Sequence, residues 1–548
     1  MNMKKTFIAT GLFLFAILSF AQTSEIMVFT NEKPIGRIMT TQEEIKTKEY
    51  IFPERKIRSY IDTTLKTITI QLRGVSDNGK FMLNRGNIIY YDLSGQKVKW
   101  TKKITYTTSN LQQFGSAIIF TTEGANFRLN NENGKNLWKA KNDIYFVDPV
   151  ADIGVGYSLK YTRGYGNALE GIDLKTGKTI WQRELNREYG WNSAFRINDS
   201  EWMIVAAGLH TINNNDGTGW SYHAATGGIN YTLASVLLTG TGPTIVHRGG
   251  IRNHDSNAYS DDNIGTYMFV TKHNLVWDIA SNVYSDSTGY YFASKEIIAR
   301  INKNNGEIVW INQFPNDLAS KSSVFVKDDQ VFMINYGYAF RRINPISYGT
   351  PFFAAFDKET GKQIFLSTIN TTKNPILDFI IEDDILLLVF KDRIMKYSGG
   401  QILEKPINEK EFGELISFVG NRAYIDGENS SITSLIHTDI SKNYIITNTN
   451  KILIVDDNLN IIGDGDVSQL YVAHLRIGNY VFVTKDNQTF ILDSNDNKVA
   501  EIDIALKPIL IGNKIYSVQE NSFFEIDADN LIERLKAIGK RQEVFAFF

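Results

Sequence analysis

Asp173-Leu-Lys-Thr-Gly177-Lys-Thr-Ile-Trp181 is one spelling of a phrase that this 548-residue chain repeats. The others are Asp92-Leu-Ser-Gly95-Gln-Lys-Val-Lys-Trp100, Asn130-Asn-Glu-Asn-Gly134-Lys-Asn-Leu-Trp138, Asn302-Lys-Asn-Asn-Gly306-Glu-Ile-Val-Trp310 and Asp357-Lys-Glu-Thr-Gly361-Lys-Gln-Ile-Phe365. In each, an Asp or Asn opens a turn, because its side chain bonds its own backbone, and a Gly closes it by supplying φ > 0. An apolar run such as Asn87-Ile-Ile-Tyr-Tyr91 or Phe353-Ala-Ala-Phe356 precedes the turn, and an aromatic follows it. Strand–turn–strand units recurring at about 40–50 residues predict an all-β repeat fold, a β-propeller.

A single unit of this kind cannot bury both of its faces, so neighbours must dock. Trp100, Trp138, Trp181, Trp310 and Phe365 are the predicted docking side chains, each burying about 150–250 Å². Weaker copies continue toward the C-terminus: Ile385–Phe390, Ile394–Tyr397 and Gln401–Leu403, then Tyr480–Thr484, Thr489–Leu492 and Lys498–Ile502. Lys514–Val518, Phe523–Ile526 and Leu531–Arg534 are read as the last three strands. This spacing gives about nine to eleven units, more than the usual four to eight. The expectation is one ring of about eight four-stranded blades with insertions, seven to ten blades being compatible with the spacing.

The repeat resembles that of the pyrroloquinoline-quinone (PQQ)-type propellers, whose docking phrase runs Ala-x-Asp-x-x-x-Gly-Lys-x-x-Trp. Ala355-Phe-Asp357-Lys-Glu-Thr-Gly361-Lys362-Gln-Ile-Phe365 matches it with Phe for Trp, and Gly171-Ile-Asp173 through Trp181 matches it except at the first position. The resemblance covers most of the chain beyond residue 60. It implies the propeller fold, in which enzymes of the family hold the quinone in the central channel with a calcium ion, a catalytic Asp and often two adjacent cysteines. In fold it extends to the propeller subunit of the outer-membrane protein assembly machine, a scaffold. This chain has no Cys at all, so it lacks both the cysteine pair and the lipid-anchoring Cys of that subunit.

Composition fits the fold. Hydrophobic residues make up 43% and aromatics 12%, with Ile, Val, Tyr, Phe and Thr abundant, as strands prefer. The formal charge is −2, from 58 basic and 60 acidic residues, which argues against a general nucleic-acid binder. Without Cys there is no disulfide or thiolate chemistry.

The N-terminus reads as an export signal. Lys4 and Lys5 precede an apolar run from Thr6 to Leu18, too short for a comfortable membrane span, and Ser19-Phe20-Ala21 ends in a small residue. Cleavage before Gln22 is expected. No other apolar stretch reaches about 18 residues. The expected organisation is a signal peptide at 1–21, a lead-in at 22–61, and the propeller at 62–548 with insertions near 232–278 and 336–352. Within the lead-in, Thr40–Lys48 lacks strand alternation, and Ile26-Met-Val-Phe29 is the segment expected to pair into the last blade and cover its edge.

Two stretches break the rhythm, and function concentrates in such places. The first, from Trp191 to Asp278, holds His210, His223, His247, His254, Trp202, Trp220 and Trp277. Asn213-Asn-Asn-Asp-Gly217 reads as a turn, and Tyr222-His223-Ala-Ala-Thr226-Gly227 reads as the repeat phrase with His223 in the Asp slot. The second break, Tyr336-Gly-Tyr-Ala-Phe-Arg341-Arg342-Ile-Asn-Pro345-Ile-Ser-Tyr348, lengthens one hairpin. Tyr and Arg are enriched at protein interfaces, which makes Arg248, Arg252, Tyr338, Arg341, Arg342 and Tyr348 the candidate partner-binding residues.

Metal and enzyme readings fare less well. His247, His254, Asp255, Asp261 and Asp262 offer donors, but none falls at a diagnostic helical spacing. Asp493-Ser-Asn495-Asp-Asn497 begins like a calcium loop, yet Lys498 stands at the Gly position and Ile504 at the bidentate Glu position, so the repeat turn is the better reading. No phosphate loop, nucleophile elbow or zinc-protease motif is present. The expectation is a non-enzymatic extracytoplasmic scaffold that binds protein partners in a bacterial cell envelope, in the periplasm or outside the cell, as an accessory of an outer-membrane assembly or secretion complex. It carries no cofactor or catalytic residue. The alternatives are a quinoprotein-like oxidoreductase and a carbohydrate- or small-ligand-binding propeller that uses the clustered Trp residues as stacking platforms.

Overall fold

The computed structural model describes residues 29–545 except 53, 107–108, 123–124, 149, 159–167, 186–191, 227–243, 249–265, 271–275, 342–343, 372, 383–384, 399–400, 420–422, 427–431 and 436–441. For 29–31, 143, 244–248, 266–270, 382, 423–426, 432–435 and 538–545 it describes the backbone alone.

Eight separate sheets are four-stranded, antiparallel and ordered as the strands occur in sequence. They span 55–105, 109–140, 142–184, 193–223, 284–313, 322–368, 378–406 and 415–466, called units 1 to 8 here. An eleven-stranded sheet contains two more units of the same kind. Unit 9 spans 470–502, and unit 10 takes its first three strands from 509–527 and its fourth from Glu44–Ile51. Among the described residues the four-stranded units thus number ten rather than eight. The weak wording of the C-terminal half conceals complete units.

Burial explains the strand compositions. Middle strands such as Ile153–Ser158, Gly289–Ser294 and Phe352–Asp357 are buried almost throughout, so they read as continuous small and apolar runs. Outer strands bury little besides the aromatic: Thr179–Glu184 and Ile308–Gln313 each bury only their Trp. A one-residue register shift precedes each outer-strand aromatic in units 1, 2, 3, 5 and 6. Such a bulge re-aims the next side chain, here onto the neighbouring unit.

Apolar clusters join each unit to the next. Tyr90 and Trp100 of unit 1 pack with Leu111 and Phe120 of unit 2. Equivalent clusters link units 2 to 3, 3 to 4, 4 to 5, 5 to 6, 6 to 7 and 7 to 8. Leu470 of unit 9 packs on Val419 and Ile452 of unit 8, and units 9 and 10 share Phe482, Ile491, Ile515 and Phe524. Tyr50, Tyr516 and Phe523 of unit 10 pack with Ile70, Ile89 and Tyr91 of unit 1. The arrangement is propeller-like.

The lead-in differs from its sequence reading. Glu44–Ile51, which overlaps the stretch Thr40–Lys48 judged to lack alternation, buries Ile45, Thr47 and Tyr50 and pairs with Ser522–Glu525. The Thr47 hydroxyl donates to the Glu525 carbonyl at 2.8 Å, and the Tyr50 hydroxyl donates to the Glu525 carboxylate at 2.9 Å. Alternation was hidden because a Thr stands at a buried position. Residues 26–28 lie outside the described residues, whereas Phe29–Ile38 forms a strand that bridges unit 9 at Ala500–Ile502 and Glu44–Ile51. Leu531–Arg534 is not a strand but part of a helix, Ala528–Phe545. Asp527 accepts the Asn530 N–H at its start, and Leu531, Ile532 and Leu535 dock on units 9 and 10 at helical spacing.

Candidate functional site

An antiparallel four-stranded unit has two ends. The 1–2 and 3–4 turns share one end, and the 2–3 and 4–1 connections share the other. The repeated Asp/Asn-to-Gly turns are all 3–4 turns. The first stretch read as breaking the rhythm, Trp191 to Asp278, contains the regular unit 4 at 193–223, and its remainder joins unit 4 to unit 5, a connection of the opposite kind; the second, 336–351, joins the second and third strands of unit 6 at that same end.

The structure joins these stretches. Tyr338–Arg341 and Asn344–Ser347 form a hairpin, and Val276–Trp277 adds a third strand beside it, with Val276 opposite Arg341 and Trp277 opposite Phe340. Aromatic alternation along the hairpin holds the surface together. Trp277 stacks on Phe340 with centroids 5.3 Å apart, Phe340 meets Tyr338 edge-on at 5.7 Å, and Tyr338 stacks on Tyr336 at 5.5 Å. Tyr336 in turn stacks on Phe379 of unit 7 at 5.6 Å. Lys321 fixes the base: its ammonium is 2.5 Å from the Asp278 carboxylate and 5.8 Å from the centre of the Phe340 ring. Asn192 also donates to Asp278, at 3.4 Å, from the start of unit 4.

The sequence-predicted residues fall unevenly. Tyr338 and Arg341 lie on the first strand of the hairpin and Tyr348 just beyond its second, all half-buried. The Arg341 Nε is buried and has no hydrogen-bond partner among the described residues. Tyr348 follows the hairpin, its N–H donating to Gly337 O at 2.9 Å, and it packs on the core between units 5 and 6. Arg248 ends the strand Thr244–Arg248, which pairs with Thr266–Val270; the latter runs alongside Ser193–Arg196, the first strand of unit 4. The Arg248 side chain, Arg252 and Arg342 lie outside the described residues, as do His254, Asp255, Asp261 and Asp262 of the weighed metal set. Sequence reasoning named Trp277 only as one of a Trp cluster and missed Phe340, Lys321 and Asp278.

Two histidines of this region, His210 and His223, lie among the residues whose side chains are described. His223 is not a turn residue. It ends the strand Ser221–His223, opposite Gly208. The turn of unit 4 is Asn213-Asn-Asn-Asp-Gly217, and Trp220 is its docking aromatic, donating to Lys303 O of unit 5 at 2.9 Å. His210 is buried. Its Nε2–H donates to Ala206 O and its Nδ1 accepts from the Ser221 hydroxyl, both at 2.8 Å. Burial pushes its pKa down to about 4, so the ring is neutral and fully bonded.

The repeat aromatics make a shared contact. Trp100, Trp138, Trp181, Trp220 and Trp310 each donate their indole N–H to the carbonyl just after the Asp or Asn of the next unit's turn. Each also lies against that turn's Gly. A Cβ on Gly134 would come within 2.7 Å of Trp100, and one on Gly177 within 2.6 Å of Trp138. Phe365 has no indole N–H and stacks instead on Tyr397 of unit 7, at 6.0 Å.

Among the described residues no group of His, Asp and Glu is placed to hold a metal ion, and no helix is long and apolar enough to cross a membrane. No protein-family model matches the chain, and no curated protein matches it. Solved structures resemble it distantly. BamB from Moraxella catarrhalis is 12% identical, with a TM-score of 0.28 over 72% of this chain and 96% of that one. The C-terminal WD40 domain of Sif2 is 10% identical, at 0.28 over 76% and 95%. A eukaryotic initiation factor is 8% identical, at 0.35 over 91% and 98%. These are likenesses of fold, and the propeller-like reading rests on the sheets and their packing.

Proposed function

We propose that this protein is an exported, non-enzymatic scaffold for protein partners in a bacterial cell envelope, an accessory of an outer-membrane assembly or secretion complex. Its ten PQQ-like units form one ring, closed where Glu44–Ile51 completes unit 10 against unit 1. Partners dock at the end of the ring that carries the 2–3 and 4–1 connections. One observation carries this reading: Val276–Trp277 pairs with Tyr338–Arg341, so two departures from the repeat form one three-stranded surface. That surface presents Tyr338 and Arg341, residue types that serve as interface anchors, and Arg341 keeps a buried Nε unpartnered among the described residues. Export follows from the tripartite N-terminus.

The test is site-specific photo-crosslinking in cells. A photoreactive amino acid at Tyr338 is expected to crosslink a defined protein, and one at Glu132, on a repeat turn at the other end, is not. Crosslinks from Glu132 but not from Tyr338 would reverse the assignment of the face.

A further inference from the structure

The outer strand of a unit ends its sheet, so one side of its backbone is unpaired and invites another strand. Most outer strands here are guarded. Lys97–Thr105 carries Lys97, Lys99, Lys102 and Lys103; Asn136–Ala140 carries Lys139; Thr179–Glu184 carries Arg183 and Glu184. Gln401–Pro406 has Glu404, Lys405 and Pro406, and Ile461–Asp466 has Asp464 and Asp466. The outer strand of unit 4 is only three residues long. Units 9 and 10 are covered by Phe29–Ile38.

Among the described outer strands Ile308–Gln313 of unit 5 is the exception. It has no ionisable residue and no Pro, and it ends its sheet. Ile308, Val309 and Ile311 are 50%, 49% and 51% exposed. Gln363–Thr368 of unit 6 is also uncharged, but it exposes only Ile364 among its large apolar side chains.

From this we infer that Ile308–Gln313 is a self-association edge, pairing antiparallel with the same strand of a second copy of this chain about a two-fold axis near Ile311. A two-fold interface must be self-complementary, and like charges directly opposite each other are unfavourable. The charged outer strands would set such pairs against themselves in some registers, whereas Ile308–Gln313 sets none in any register. The bulge at Val309 interrupts the strand's first half, leaving Trp310–Gln313 as the regular part, with Ile311 inside it. The chain already uses this mode of contact on itself: Gly36–Ile38 adds antiparallel to the outer strand of unit 9 at Ala500–Ile502.

Sedimentation velocity on the chain without residues 1–21 tests the inference. The intact protein is expected to dimerise. Ile311→Lys, at a half-exposed position, should weaken dimerisation at least tenfold while the thermal midpoint stays unchanged, and Ile364→Lys should leave the dimer intact. Because the chain has no Cys, a second variant gives an independent reading. Ile311→Cys treated with oxidised glutathione should form a covalent dimer, since facing residues of an antiparallel pair lie within disulfide reach, and Ile402→Cys should not. A wild-type protein that stays monomeric at all concentrations overturns the inference. So does a dimer indifferent to Ile311→Lys, or one that Ile364→Lys abolishes instead.

Discussion

At the scale of single residues, the repeat phrase is half of a contact whose other half lies in the next unit. In units 2 to 6 the turn Gly is needed twice, for its φ of about 70° and for the indole lying over it; Gly95 of unit 1 has neither, the positive φ expected there falling on Gln96 instead. Trp181→Ala and Trp310→Ala should each cost about 3–5 kcal/mol in chemical denaturation; less than about 1 kcal/mol at both would mean the aromatic does not dock units. Gly361→Ala should destabilise by more than about 1 kcal/mol. Its cost should shrink in a Trp310→Ala background, because the clashing ring is gone and the two positions couple. Strict additivity in that cycle would separate the glycine's role from the tryptophan's. His210 gives a pH signature. Burial lowers its pKa to about 4 when folded, against about 6.5 for an exposed histidine, so the unfolded chain takes up the proton first. Stability is full above about pH 6.5 and falls by up to about 3 kcal/mol as pH drops toward 4. His210→Asn should flatten that slope whatever it does to absolute stability, and an unchanged slope would show that His210 is not its source.

These contacts also show what a sequence can and cannot display. Asp173, Gly177 and Trp181 are legible because turn chemistry and strand aromatics are local. That Gly177 receives Trp138, and Gly217 receives Trp181, is not local and appears only when the units are stacked. The phrase of unit 4 escaped notice because Gly219 lies in the outer-strand approach and the Gly-to-Trp spacing from Gly217 to Trp220 is one residue short. Asn213–Gly217 is legible as a turn, but the repeat phrase is read at Tyr222–Gly227 with His223 in its Asp slot.

At the scale of elements, the 1–2 turn of unit 5 shows how units are tied at the turn end. Burial alone would raise the Asp286 pKa. The N–H groups of Thr288 and Gly289, the Thr288 hydroxyl and Lys358 of unit 6 outweigh it, holding the carboxyl well below the usual range. A depressed carboxylate stabilises above its unfolded pKa, and that contribution is lost as pH falls below about 4. Asp286→Asn should therefore lower stability at neutral pH and lessen acid sensitivity below about pH 4, read by urea melts across pH. The strand Glu44–Ile51 is the other decisive element. Tyr50 stacks on Phe523 at 4.2 Å and meets Tyr91 edge-on at 5.3 Å, joining the N-terminal strand, unit 10 and unit 1. Tyr50→Ala should cost about 3–5 kcal/mol. This element was obscure in the sequence because Thr47, Lys48 and Glu49 look like loop. Its alternation becomes visible only beside Ser522–Glu525. The helix Ala528–Phe545 was misread for a related reason: Leu531-Ile532 is too short an apolar run to separate strand from helix without the Asp527 cap.

At the scale of the whole molecule, ten units among the described residues pack each on the next, and the proposed reading assigns function to what departs from the repeat. The departures that the structure joins are Val276–Trp277 and Tyr338–Arg341, on the end opposite the repeat turns. Their place in the sequence was legible as a loss of rhythm. Their union was not, because about sixty residues and the whole of unit 5 separate them. Truncating an anchor in a docking surface can cost 2 kcal/mol or more of binding, whereas a rim charge mainly tunes encounter. The most direct test is capture of envelope proteins by the immobilised chain, quantified by mass spectrometry, for the wild type and for the Tyr338→Ala, Arg341→Ala double variant. The account predicts that a specific set of captured proteins falls tenfold or more while circular dichroism shows the variant still folded. Capture unchanged in that folded variant would contradict it and move the docking face elsewhere.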